Sequence, residues 1–74
     1  MMSGKQEPRR LPAPWRVEEI AAAYLVVDAM GRRIAHVYFE DEKSRRDIAN
    51  LLTKDEARRV ARAIARLPEI LPKA

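Results

Sequence analysis

Apolar and polar positions along the chain switch from one period to another. From Thr53 to Leu67, TKDEARRVARAIARL, residues Ala57, Val60, Ala61, Ile64 and Leu67 recur at helical spacing and predict one amphipathic helix. Thr53 and Glu56 have the spacing of a capping box, in which hydroxyl and carboxylate each satisfy the other's orphan backbone donor. Arg58, Arg59, Arg62 and Arg66 fall on the side away from the apolar stripe. Pro68 is expected to end or sharply bend the helix, because the residue before a proline avoids the helical conformation. Ile70 and Leu71 are expected to fold back onto the core.

Ahead of this helix the pattern is that of strands. In WRVEEI, Trp15 and Val17 alternate with Arg16 and Glu18, as in a half-buried edge strand. Tyr24 to Val27 and Ile34 to Phe39 are rich in β-branched and aromatic residues. Between them Asp28-Ala29-Met30-Gly31 suits a type I turn closed by a left-handed glycine. With Asp28 opposite Arg32, the pairs Val26–Ile34, Tyr24–His36 and Ala22–Tyr38 share one face, and a slip of one residue would exchange the faces of one strand. The helix is expected on the other face, with Leu25, Val27, Val37 and Phe39. Tyr24, Val26, Ile34, His36 and Tyr38 then stand on the uncovered face as the candidate interface, apolar but carrying polar handles.

Glu40 to Lys43 should lie in water, with Ser44 capping a short helical turn from Arg45 to Leu51 and Ile48, Leu51 and Leu52 turned inward. The expected fold is α+β: a three-stranded antiparallel meander, a short helical turn and one carboxy-terminal amphipathic helix on one sheet face (βββα). Residues 1–14, with three of the five prolines, read as a disordered basic arm; residues 15–71 form one small domain, and 72–74 fray.

Composition narrows the options. Seventy-four residues without cysteine exclude a disulfide staple, and His36 alone cannot anchor a structural zinc. A core this small supplies roughly 3–5 kcal/mol, so self-association is the remaining staple and a homodimer is expected. No run approaches the ~20 apolar residues of a membrane span, and the amino terminus has no secretory core, which points to a cytoplasmic protein without a membrane partner. The net charge of +4 is uneven: residues 1–16 and 44–74 are basic, and 17–43 are acidic.

Candidate chemistry is sparse. Ser3, Ser44 and Thr53 are the only short hydroxyls and have no base partner in sequence; Gly4 and Gly31 make no phosphate loop. Glu40, Asp41 and Glu42 lack calcium-loop spacing. No enzymatic activity and no cofactor is expected. Arg58, Arg59, Arg62 and Arg66 suit phosphate through arginine's bidentate fork, though Asp55 one turn earlier also fits a merely solvated helix face. No asparagine or glutamine accompanies them to read base edges, so any nucleic-acid binding would be independent of sequence.

The order PWRVEE, YLVVDAMGRRIAHVYFEDE, LLTKDEARRVARAIARLPEIL resembles a group of short bacterial proteins, alphaproteobacterial in type, with the same Trp-start, hairpin and LT-x-DEA helix layout. The likeness spans Pro14 to Leu71 and implies no activity and no residue role. Three strands before a helix are also similar in order to integrase amino-terminal and plant AP2 DNA-binding modules, which read the major groove with the sheet. The expectation is a non-enzymatic interaction module that homodimerises through an exposed sheet face or meets another protein. The alternative is a sequence-independent nucleic-acid binder using the arginine face.

Overall fold

The structure, a computed structural model, describes residues 11–71. Three strands, β1 (Arg16–Ile20), β2 (Ala23–Val27) and β3 (Arg33–Tyr38), form an antiparallel sheet in the order β1-β2-β3. Helices α1 (Lys43–Ala49) and α2 (Lys54–Ala65) follow, then a 3-10 turn at Leu67–Glu69. This is the α+β, βββα layout. The expectations for residues 1–10 and 72–74 lie outside the described residues. Within the proposed arm, Leu11 and Pro12 already belong to the domain: Leu11 packs against the core and Pro12 O accepts from Ala29 N at 2.9 Å.

The hairpin turn forms as the residue types dictate. Gly31 N donates to Asp28 O at 3.0 Å, and Gly31 has φ 87°, the left-handed value that favours glycine. Asp28 stands opposite Arg32, with Asp28 N donating to Arg32 O at 3.0 Å. One residue further on the register changes. Val27 pairs with Arg33 but Val26 pairs with Ala35, so Ile34 is an extra residue in β3, a bulge. Beyond it the pairs are Leu25–His36, Tyr24–Val37 and Ala23–Tyr38, each one residue off those expected.

The bulge decides which β2 side chains are buried beneath the helix. α2 docks on Tyr24 and Val26 of β2 together with Val37 and the adjacent Phe39, and Ala57 and Ala61 meet them with no exposed surface. Two alanines let helix and sheet approach closely, and the Tyr24 and Phe39 rings, with centroids 5.4 Å apart, fill the space between. Leu25 and Val27, expected under the helix, lie on the opposite face. The capping box of α2 is complete: Glu56 N donates to Thr53 Oγ1 at 3.1 Å, and Thr53 N to Glu56 Oε1 at 2.9 Å.

α1 departs from expectation in two respects. Its cap is Glu42, whose carboxylate accepts from Arg45 N at 2.9 Å, so the helix starts earlier and Ser44 lies inside it. Its apolar residues do not turn inward. α1 packs against no other helix or strand, Ile48 is 86% exposed, and Leu51 and Leu52 are also exposed. Asn50, at φ 57°, turns the chain back so that Leu52 forms a parallel bridge with Phe39. Val60, placed on the apolar stripe by spacing, lies to its side and is 42% exposed. Ile70 and Leu71 point to solvent rather than onto the core.

Candidate interaction surfaces

The sheet has one covered face and one open one. Among the described residues only α2 packs on the sheet, and it does so on the face of Tyr24 and Val26. The strand registers arrange the open face in three rows: Arg16–Val27–Arg33, Glu18–Leu25–His36 and Ile20–Ala23–Tyr38. The central column is apolar and the outer columns carry the charge. Ile20 is 43% and Tyr38 55% exposed, whereas Leu25 between Glu18 and His36 is only 5% exposed. The His36 ring stacks on Tyr38 at 5.9 Å with 17° between planes. Arg16 and Glu18, alternate residues of β1, form an ion pair at 3.0 Å.

Of the five residues expected on this face, the structure brings two there, His36 and Tyr38. Tyr24 and Val26 are buried under α2, and Ile34, the bulge residue, is half-buried against the core. Arg16, Glu18, Ile20, Leu25 and Arg33 take their places. For the three from β1 the sequence signal is the alternation within that strand, which commits Val17 inward and hence Arg16, Glu18 and Ile20 outward; Leu25 and Arg33 depend on the pairing across the hairpin.

The arginines divide. Arg58, Arg62 and Arg66 lean over β1 and line an open trough of about 500 Å³ whose other wall includes Trp15 and Arg16. Arg59 is on the other flank of α2, beside Leu52, Val60 and Ala63. Trp15 is buried and its indole N–H donates to Leu11 O at 3.1 Å. Glu19 faces the trough from β1 and is held by Lys54 Nζ at 2.9 Å; this contact keeps the Lys54 ammonium above its ordinary pKa. Lys54 also lies 5.8 Å over the Phe39 ring. Asp55 takes Arg58 and Arg59 at 3.2 and 3.0 Å, and these two arginines hold its carboxyl below the usual range. Arg66 reaches Glu69 at 3.8 Å. Among the described residues Arg62 has no ion-pair partner.

Other chemistry finds no assembly. Among the described residues no group of three His, Cys, Asp or Glu side chains converges on a metal-sized site, and no helix is long and apolar enough to cross a membrane. Comparison with protein-family models, with curated proteins and with solved structures finds no match to this chain.

Proposed function

We propose that the chain is a non-enzymatic interaction module that pairs with a second copy of itself through the open face of the sheet. The observation that carries this reading is the one-sided packing. The three-stranded sheet has a helix on one face only, and on the other Ile20 and Tyr38 are left in water beside a central column, Ala23, Leu25 and Val27, that is already buried. Among the described residues nine large apolar side chains are exposed, in a domain whose small core gains most from association.

The charge pattern selects the second copy as occupant. A twofold axis lying between two such sheets and parallel to β2 sets β1 of one copy against β3 of the other. Glu18 then meets His36 of the second copy, Ile20 meets Tyr38, and Leu25 meets Leu25 near the axis. Sheet twist turns the strands by about 30°, so these partners are near rather than directly opposed. The third row sets Arg16 against Arg33, a repulsion that Glu18, already paired with Arg16, offsets. An axis across the strands would set Glu18 against Glu18, which disfavours it.

Sedimentation equilibrium tests the reading. The wild type is expected to sediment as a dimer that dissociates on dilution, and Tyr38→Glu as a monomer with an unchanged far-UV circular dichroism spectrum. Glu18→Lys should weaken the dimer and the swap Glu18→Lys/His36→Glu should restore it. A wild type that is monomeric throughout, or a Tyr38→Glu mass equal to that of wild type, overturns the proposal.

A further inference from the structure

We infer that the trough between β1 and α2 binds the phosphodiester backbone of single-stranded nucleic acid. Arg58, Arg62 and Arg66 step by four residues, so their Cα atoms span about 12 Å along the helix at about 6 Å intervals. A line of evenly spaced cations fits a polymer of evenly spaced charges; a free phosphate needs donors converging on one point.

The acids nearby do not cancel this field. Glu19, the carboxylate in the trough wall, is neutralised by Lys54 at 2.9 Å. Asp55 shares itself between Arg58 and Arg59, and Glu69 meets Arg66 only at 3.8 Å. Exposed pairs of this kind are weak and exchange readily for phosphate. Arg62, in the middle of the row, has no carboxylate to give up among the described residues.

The aromatic wall fixes the mode of reading. Trp15 and Tyr24 are buried and the indole N–H is engaged with Leu11 O, so neither ring offers a free plane for stacking. The trough also contains no asparagine or glutamine to read base edges. Contact is therefore to the backbone and independent of sequence. A single strand can enter the recess between strand and helix, whereas a rigid duplex meets only its rim.

The site lies on the helix side of the molecule, away from His36 and Tyr38, so it stands or falls independently of self-association. Fluorescence anisotropy with a labelled mixed-sequence 12-nucleotide single strand tests it, with the matching duplex in parallel. For three phosphate contacts the logarithmic salt slope is about −2, so affinity should fall roughly 20-fold between 50 and 200 mM salt. Arg62→Glu is expected to weaken binding at least tenfold at 50 mM salt and to flatten that slope. Arg59→Glu makes the same charge change on the other flank of α2 and should cost threefold or less. Both sites are exposed, and circular dichroism checks that both variants fold. Absent or salt-independent binding, equal losses in the two variants, or tighter binding of the duplex would overturn the inference.

Discussion

Asp28 and Arg32 hold the neck of the hairpin at three points. The Asp28 amide donates to the Arg32 carbonyl at 3.0 Å, the Arg32 amide donates to Asp28 Oδ1 at 2.8 Å, and the Arg32 guanidinium lies 3.5 Å from Oδ2. Met30 N donates to the same Oδ1 at 2.9 Å. Asp28 is the one fully buried acid among the described residues. It is tolerated because backbone donors surround it, as buried polar groups require.

This geometry predicts an acid-sensitive hairpin. Burial alone pushes the Asp28 carboxyl upward; the hydrogen bonds from Arg32 and Met30, with the Arg32 charge, outweigh it and leave the pKa below the ordinary value of 3.8. A carboxyl lowered on folding stabilises the native state above its unfolded pKa, and that contribution is lost as pH falls through the folded pKa. Thermal melts should show stability falling below about pH 4. Asp28→Asn keeps an oxygen acceptor for both amides and should flatten that limb. It should not abolish it, because Glu42, Asp55 and Glu56 are also lowered. Asp28→Ala leaves two backbone donors without their acceptor and should melt several degrees lower at pH 7. A Tm for Asp28→Ala equal to that of wild type would show that the carboxylate is dispensable.

Ile34 shows where reading the sequence stops. The turn, the three strands and the cap at Thr53 are local features, each specified by residues within a few positions, and all were legible. The faces of β2 were not, because they depend on pairing across the hairpin, and one bulge residue moves that pairing by one. Nothing in RRIAHVYF distinguishes a bulged from a regular strand; the advantage of placing Tyr24 and Val26 rather than Leu25 and Val27 against Ala57 and Ala61 appears only in three dimensions. Of the five residues expected on the open face, His36 and Tyr38 therefore stay there, and Tyr24, Val26 and Ile34 turn to the helix side. The burial of Ile48 was misread for a similar reason, since apolar spacing names a face without supplying a surface for it to meet.

The bulge predicts a tolerated deletion. Removing Ile34 leaves Arg33 opposite Val27 and Ala35 opposite Val26, so every pair from there to Tyr38 keeps its native partner and its face. The loss is the contact of one half-buried isoleucine, about 1 kcal/mol. Urea denaturation should show a cooperative transition shifted by about that amount, with the hairpin cross-peaks of native pairing retained in NMR spectra. A deletion variant that fails to fold would mean that the extra twist of the bulge is itself required for α2 to dock.

The two helices should differ sharply in how they open. α2 is capped at both backbone and side chain by Thr53 and Glu56 and buries Ala57 and Ala61 completely. α1 has seven residues, buries none of them and is tied down through polar contacts, chiefly from Arg46 to the carbonyls of Glu40 and Asp41 at 3.0 and 3.2 Å. A helix that short is not stable by propensity alone. In native-state hydrogen exchange its amides should open with almost no free-energy cost, while those of Ala61 and Ile64 open only with the whole domain. The same asymmetry makes Ile48→Ser nearly neutral, within about 0.5 kcal/mol. Ala61→Leu, by contrast, forces extra methylenes into the contact between helix and sheet and should cost about 1–3 kcal/mol. If α1 amides instead prove as protected as those of α2, or Ile48→Ser destabilises as much as Ala61→Leu, then Ile48 is covered in solution. Repeating the exchange across a dilution series would show whether a second copy covers it, because protection supplied by association falls with protein concentration and protection within one chain does not.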